Sequence, residues 1–225
     1  MKKIRLLAPG EHYHIYNRGV MKRKTFLDDR DRARFLFLLL HFQGPFEPEN
    51  LGRYVSYYLK GGSFKIDGNQ IKKMLETRSV KLLAFALMPN HFHLIVEETK
   101  EGGISKYLQR IGNAYTKYFN TRYQTNGYLF QGKFKFRHIA NNDQLLYTSA
   151  YVHRNCCELT DWQEKAELYP WSSYPDYFQN NRWPKLLAKE MVAEQFKTPL
   201  EYHDWIKNSG AKELEQEIDL ENDFI

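Results

Sequence analysis

Two histidines separated by one residue, His91 and His93, are the first candidates for chemistry in this sequence. They follow Pro89 and Asn90, a pair of residues typical of turns, and they begin an apolar stretch that predicts a buried strand. Side chains two positions apart on a strand share a face, so both imidazoles are expected to point the same way. This spacing predicts half of a divalent-metal site.

A second pair with the same spacing, His12 and His14, lies earlier in the sequence. It has no adjacent sharp turn, and a chain with eight histidines produces such spacings by chance. We therefore assign the metal role to His91 and His93. The alternative for either pair is an ordinary strand histidine with no ligand.

A helix predicted over residues 143–156 offers a third ligand and a nucleophile. At about 100° per residue, Tyr147, Tyr151 and Asn155 form one polar stripe on this helix. The opposite arc is apolar and contains Leu145, Leu146, Ala150, Val152, Cys156 and Cys157. A tyrosine one turn before an asparagine could bring a phenol oxygen and an amide oxygen to one metal-bound phosphate. The alternative is a polar helix face in water.

The spacing of hydrophobic residues along the chain predicts an α+β fold. The predicted elements are, in order, a strand over 12–18, a helix over 28–42, two strands within 80–98, a helix over 104–119, a strand over 128–139 and a helix over 143–156. This order favours a ferredoxin-like sandwich, an antiparallel sheet with helices packed on it, over a doubly wound sheet. Residues 44–79 are interpreted as an insertion. Tyr115 and Tyr118 lie on the apolar stripe of the 104–119 helix, so we expect them in the core and keep them as fallback nucleophiles.

One long segment has the character of a nucleic-acid surface. Residues 103–141 contain no acidic side chain, and aromatic residues alternate there with basic ones. Positive charge neutralises phosphates and flat rings stack on unpaired bases, so the mixture favours single-stranded or hairpin nucleic acid. The predicted DNA-binding residues are Lys106, Arg110, Lys117, Arg122, Gln131, Lys133, Lys135 and Arg137.

Composition sets the class of protein. The 225 residues are 42% hydrophobic and 27% charged, which excludes a membrane-spanning or wholly disordered chain. The net charge of +6 understates the basic body, because residues 211–225 hold six carboxylates and one lysine. The only cysteines, Cys156 and Cys157, are adjacent and cannot form a normal disulfide with each other. With no secretory signal recognised, we expect a cytoplasmic, nucleoid-associated protein.

These motifs together resemble the single-tyrosine transposases of the HUH nuclease superfamily, and within it the REP-associated tyrosine transposases. The segments that carry the resemblance are YHIYNRG (13–19), LMPNHFHLIVE (87–97), YTKYFN (115–120), GYLFQGKFK (127–135), AYVHRN (150–155) and WSSY (171–174). Residues 44–79 and those after about 180 lie outside it. We therefore divide the chain into a catalytic domain over 1–180 and a helical extension with an acidic tail over 181–225.

The resemblance implies a specific activity. His91 and His93 are expected to bind Mg²⁺ or Mn²⁺ with Asn155, and Tyr151 is expected to cleave and rejoin single-stranded DNA through a 5′-phosphotyrosine. Cys156 departs from the family, which usually has proline after the asparagine, and this bears on how the helix ends. The family contains both homodimers and monomers, so the oligomeric state is left open.

Two other functions remain as alternatives. The first is a non-catalytic binder of structured single-stranded nucleic acid that retains the fold. The second is a metal-dependent hydrolase that uses His91 and His93 without a covalent step, which would leave Tyr151 without a role. Protein left attached to a DNA 5′ end would separate the transposase from both.

Overall fold

An antiparallel sheet is the centre of the molecule. The structure, a computed structural model, describes residues 7–209. The strands in this part of the chain are β1 (His12–Arg18), β2 (Val80–Met88), β3 (His91–Glu98) and β4 (Lys135–Ile139). They lie in the order β2-β3-β1-β4, and each neighbouring pair is antiparallel. The expected α+β sandwich with an antiparallel sheet is confirmed.

Helices connect the strands and extend the fold after the last one. In chain order they are α1 (Asp29–His41), α2 (Leu51–Gly61), α3 (Gly68–Thr77), α4 (Gly103–Tyr123), α5 (Asn142–Arg154), α6 (Tyr174–Phe178), α7 (Glu190–Ala193) and α8 (Pro199–Asn208). Within the described residues, none of these helices has both the length and the apolar character that crossing a bilayer requires.

The two faces of the sheet carry different helices because side chains alternate along each strand. On β3, Phe92 contacts Phe35 of α1 at a ring distance of 5.1 Å, and α4 packs on this same face. His93 points to the other face, where its ring lies 5.2 Å from the ring of Tyr151 on α5. The face covered by α5 is therefore the one that holds the predicted site.

The turn between β2 and β3 is fixed by the segment that follows β1. Gly19 N–H donates to the carbonyl oxygen of Asn90 at 2.8 Å, and Thr25 N–H donates to that of Pro89 at 2.9 Å. The Asn90 side chain donates to the carbonyl oxygen of Lys22 at 3.0 Å. The predicted hairpin at Pro89 and Asn90 is confirmed, and these bonds hold its tip rigidly beside β1.

The strand predicted over residues 128–139 is only partly correct, because β4 covers Lys135–Ile139 alone. Before it, Gly132 has a φ of +62°, a left-handed conformation that turns the chain out of the sheet. Phe130 is buried against Phe92 with a ring distance of 5.6 Å. The alternation of apolar and basic residues here therefore reflects a packed loop followed by a short strand.

The segment over 44–79 and the residues after 180 share the core of the sheet. Phe64 packs edge-on against Phe37 of α1 at 5.2 Å and stacks on Trp183 at 5.7 Å. Tyr202 of α8 is buried against α5. The domain division at residue 180 stays a prediction, and the acidic tail predicted for residues 211–225 lies outside the described residues.

Candidate active site

The strand β3 and the helix α5 bring the predicted metal ligands and nucleophile together. His91 Nε2 lies 3.0 Å from Asn155 Oδ1. The rings of His91 and His93 are 5.1 Å apart, and the ring of Tyr151 meets that of His93 edge to face at 5.2 Å. Residues far apart in the sequence thus form one cluster on the α5 face of the sheet.

The position of Tyr151 and Asn155 follows from how α5 is fixed. Asn141 caps the helix by accepting a hydrogen bond from Gln144 N–H at 2.9 Å. The buried side chains of Leu145, Ala150 and Val152 hold its apolar side against the fold. Asn155 is the residue at which α5 passes into a short 3₁₀ turn, and it is only 1% exposed. The predicted polar stripe therefore faces the sheet at this end of α5.

Tyr147 departs from the predicted stripe. Its side chain is 45% exposed, and its ring lies 5.8 Å from Trp205 of α8 rather than beside the histidines. The alternative nucleophiles are also remote from the cluster. Tyr115 donates its hydroxyl to the carbonyl oxygen of Thr25 at 2.7 Å, and burial raises the pKa of Tyr115 well above its ordinary value. Of these tyrosines, Tyr151 is the one beside the two histidines.

The hydrogen bond behind His91 determines which of its nitrogens can bind a metal. His91 Nδ1 lies 2.7 Å from Asn90 Oδ1, an oxygen that only accepts, so the proton of a neutral imidazole is on Nδ1. Nε2 then presents a lone pair to Asn155 Oδ1, which presents lone pairs as well. Their 3.0 Å separation is that of two adjacent ligands, each about 2.1 Å from one Mg²⁺ ion. This pair therefore fits a shared divalent cation.

His93 is a neutral imidazole in a buried position. It is 7% exposed, and its Nδ1 lies 2.9 Å from Nε2 of His14. Burial, and then the neighbouring rings of His14 and His91, lowers the pKa of His93 well below its ordinary value. A neutral imidazole is the form that binds a metal ion. The donor set of two imidazoles and one amide oxygen is therefore chemically suited to a divalent cation.

Acidic and thiol ligands do not contribute to this arrangement. Within residues 7–209, no group of three or more His, Cys, Asp and Glu side chains is arranged to hold a metal. The third donor of the cluster is the amide oxygen of Asn155, which belongs to none of those residue types. Because all three donors are neutral, they would not reduce the positive charge of a bound cation, and that charge would be available to an anionic substrate.

Three residues of the cluster were missed by sequence reasoning as parts of the site. His14 and Tyr16 come from β1, and both rings contact His93, at 5.1 and 5.8 Å between centroids. Asn90 holds His91 from the turn. The second HxH spacing at His12 was the available signal for His14. That spacing places His14 in the site only when β1 pairs with β3 in the register that sets Tyr16 opposite His93, and the sequence alone does not show this register.

Arg110 and Arg122, which were predicted to bind DNA, hold other parts of the fold together. Arg110 donates to the carbonyl oxygens of Gly44 and Phe46, both at 2.7 Å. Arg122 binds the carboxylates of Asp28 and Asp31, the latter at 2.8 Å. These guanidinium groups join helix α4 to the residues around α1, and their role in binding DNA stays a prediction.

The remaining predicted residues are divided by the edge strand β4. Lys135 and Arg137 pair with Tyr16 and His14, so their side chains belong to the face of the sheet that carries the cluster. Lys117 and Lys133 line a groove of about 1290 Å³ on the opposite face, together with aromatic side chains that include Phe134 and Phe136. Lys106 and Gln131 are exposed.

Residues 65–155 match the family described as "Transposase IS200 like". This part of the chain is similar to IS200-like transposases. The resemblance drawn from its motifs is confirmed, and the matched segment contains His91, His93, Tyr151 and Asn155. No protein of curated function matches the chain.

The chain is similar in fold to a solved structure described as "Structure of the REP associates tyrosine transposase bound to a REP hairpin". The TM-score is 0.50 at 14% sequence identity, and the match covers 84% of this chain and 91% of that one. Because 84% of the chain is covered, the similarity in fold extends well beyond residues 65–155.

Proposed function

We propose that this chain is a metal-dependent, single-tyrosine DNA transposase that cleaves and rejoins single-stranded DNA near hairpins. The observation that carries the proposal is the cluster of His91, His93, Asn155 and Tyr151 on one face of the sheet. It combines neutral metal ligands with a tyrosine. Because residues 65–155 are similar to a transposase family, the reaction we propose for this combination is DNA strand transfer.

His91, His93 and Asn155 are the side chains that would hold the cation, Mg²⁺ or Mn²⁺. When bound, a hard divalent ion polarises a phosphate and offsets the negative charge that develops during attack on it. Burial of His93 and of Asn155 keeps these donors away from bulk water. The hydrogen bonds that join His91 to Asn90 and His93 to His14 fix the two imidazole rings against rotation.

Tyr151 supplies the nucleophile. Its phenol oxygen forms a bond to phosphorus while the bond from phosphorus to the DNA 3′ oxygen breaks. The phenol loses its proton and the departing 3′ oxygen gains one, which leaves a 5′-phosphotyrosine and a 3′ hydroxyl. One phosphodiester is exchanged for another, so a second DNA 3′ hydroxyl can attack the intermediate and release Tyr151 without ATP.

The proposed substrate is single-stranded DNA that contains a hairpin. Support comes from the absence of acidic residues in 103–141 and from the basic residues Lys135 and Arg137 on the face of the cluster. The similar solved structure is of a transposase bound to a REP hairpin, and we extend that substrate class to this chain. Positive charge on β4 would attract the phosphates of a strand that reaches Tyr151.

The test compares two tyrosines on the same helix. The substrates are labelled single-stranded hairpins from the DNA that flanks the gene of this protein. Each is incubated with Mn²⁺ and one protein, which is the wild type, Tyr151→Phe or Tyr147→Phe, and the products are separated on denaturing gels. We expect a slow protein-linked band with the wild type and Tyr147→Phe and none with Tyr151→Phe, which lacks only the hydroxyl. Hairpin binding should persist in all three.

Two results would contradict the proposal. A protein-linked band that persists in Tyr151→Phe and disappears in Tyr147→Phe or Tyr115→Phe would place the nucleophile elsewhere. A wild type that binds hairpins but never forms the band would favour the non-catalytic binder.

A further inference from the structure

We infer that His14 is a positioning residue that accepts a hydrogen bond from His93 Nδ1 and so directs the His93 Nε2 lone pair towards the divalent cation. The inference rests on the proposed function and adds a residue to it. His14 lies on β1, outside the matched segment 65–155.

The contact between the two histidines is short and enclosed. His14 Nε2 and His93 Nδ1 are 2.9 Å apart, and the side chains are 3% and 7% exposed. The rings are nearly parallel, with an interplanar angle of 21°. Tyr16 stacks on His93 at an angle of 18°, so the ring of His93 is held by two neighbours from one strand.

A hydrogen bond between two neutral imidazoles has two proton arrangements. If His14 Nε2 carries the proton and donates it, His93 must carry its own proton on Nε2, which blocks that nitrogen as a ligand. If His93 Nδ1 donates instead, its Nε2 keeps a lone pair. A role for His93 as a ligand through Nε2 therefore requires His14 as the acceptor.

His91 offers an independent example of the same arrangement. Its Nδ1 lies 2.7 Å from Asn90 Oδ1, which can only accept, and its Nε2 faces Asn155. Each of the two proposed metal ligands thus has an acceptor behind Nδ1, an amide oxygen for His91 and an imidazole nitrogen for His93. His14 also meets Tyr151 edge to face at 5.6 Å, so the same ring contacts the proposed nucleophile.

The first experiment measures Mn²⁺ affinity by electron paramagnetic resonance in the DNA-free protein. His14→Phe retains a ring but removes the acceptor, and we expect binding to weaken about 10- to 100-fold, as is typical when such a partner is removed. His14→Gln can place an amide oxygen where Nε2 was, so it should recover much of the affinity. His12→Phe is the matched control on the same strand, and we expect wild-type affinity for it.

The second experiment reads the tautomer directly. The ¹⁵N shifts of the imidazole nitrogens in the metal-free wild type should show His93 protonated on Nδ1 and His14 unprotonated on Nε2. Protonation of His93 on Nε2 would overturn the inference, and so would His14→Phe with wild-type Mn²⁺ affinity. Failure of the wild type itself to bind Mn²⁺ would instead refute the proposed metal dependence, and the inference with it. Thermal unfolding of each variant identifies any that is misfolded, in which case His14→Gln and the tautomer decide.

Discussion

At the scale of single residues, Asn155 is the proposed metal ligand whose position depends most on helix geometry. Its amide oxygen lies 3.0 Å from His91 Nε2 because α5 ends at this residue, just above β3. The helix therefore contributes one proposed ligand and, one turn earlier, the proposed nucleophile Tyr151. A shift of α5 by one residue would separate both from the histidines.

We expect Asn155→Ala to weaken Mn²⁺ binding at least tenfold and to suppress formation of the protein-linked DNA band. The substitution removes the third donor and leaves His91 Nε2 without the oxygen that faces it. Titration with Mn²⁺ and the denaturing gel measure the two effects. Asn142→Ala is the matched control, since Asn142 lies on the same helix and bonds to Gln195 at its far end. Equal Mn²⁺ affinity of Asn155→Ala and the wild type would refute the assignment of this ligand.

At the scale of elements, α8 stabilises the position of α5, the helix that carries Tyr151, through buried hydrogen bonds. His153 of α5 donates from Nδ1 to the hydroxyl of Tyr202 at 2.8 Å, and that hydroxyl donates to Ser149 at 3.1 Å. His153 Nε2 accepts a hydrogen bond from Ser173 at 2.8 Å. All four side chains are buried. Water therefore cannot replace a lost hydrogen bond, and loss of one side chain removes hydrogen-bond partners from its buried neighbours.

We expect Tyr202→Phe to lower the free energy of unfolding by roughly 1 to 3 kcal/mol, because it leaves His153 Nδ1 buried without a partner and removes the hydrogen bond that the buried Ser149 accepts. Urea denaturation of the full chain measures this effect. Tyr147→Phe removes a hydroxyl from a half-exposed side chain of α5 and should change stability by less than about 0.5 kcal/mol. Equal losses in the two variants would show that the buried network contributes no more to the stability of the fold than a surface hydroxyl.

Local patterns in the sequence predicted the elements that local forces determine. The hairpin at Pro89 and Asn90 and the amphipathic helix α4 depend on turn chemistry and periodicity, and both are present. The strand ending in β4 was predicted too long, because the positive φ of Gly132 is not visible in an alternating pattern. The spacing of apolar residues predicts the secondary structure of a segment, but it does not show which other segments that segment contacts.

Long-range partners were the part that sequence reasoning could not reach. Arg110 and Arg122 were predicted to bind phosphates because the residues around them are basic, and nothing in that pattern indicated that both also bind acceptors 64 to 94 positions away in the chain. His14 was ranked below His91 and His93 because its contact with His93 depends on strand pairing. The side chains of the predicted cluster lie together because the strand and the helix each place residues on one face at a regular spacing, two positions on the strand and four on the helix.

At the scale of the whole molecule, β4 separates two surfaces that a DNA strand could follow. Lys135 and Arg137 belong to the face with Tyr151, whereas Lys133 lines the groove on the reverse face. A hairpin and the single strand leading from it have different widths and flexibilities. A basic edge between the face that carries Tyr151 and an aromatic groove would suit a substrate that has both parts, and residues 133–137 are the segment where the two surfaces meet.

Reversing the charge at this edge should weaken hairpin binding. We expect Lys133→Glu with Lys135→Glu to lower affinity at least tenfold at about 0.1 M salt and to reduce the slope of log affinity against log salt by about 1 for each phosphate that is no longer neutralised. Lys72→Glu with Lys73→Glu imposes the same change in net charge on exposed residues of α3 and is the matched control. If both double variants bind hairpins equally weakly, net charge and not the β4 edge attracts the DNA. If neither changes the salt dependence, the phosphates bind elsewhere, and the strand must approach Tyr151 from the side of the sheet opposite β4.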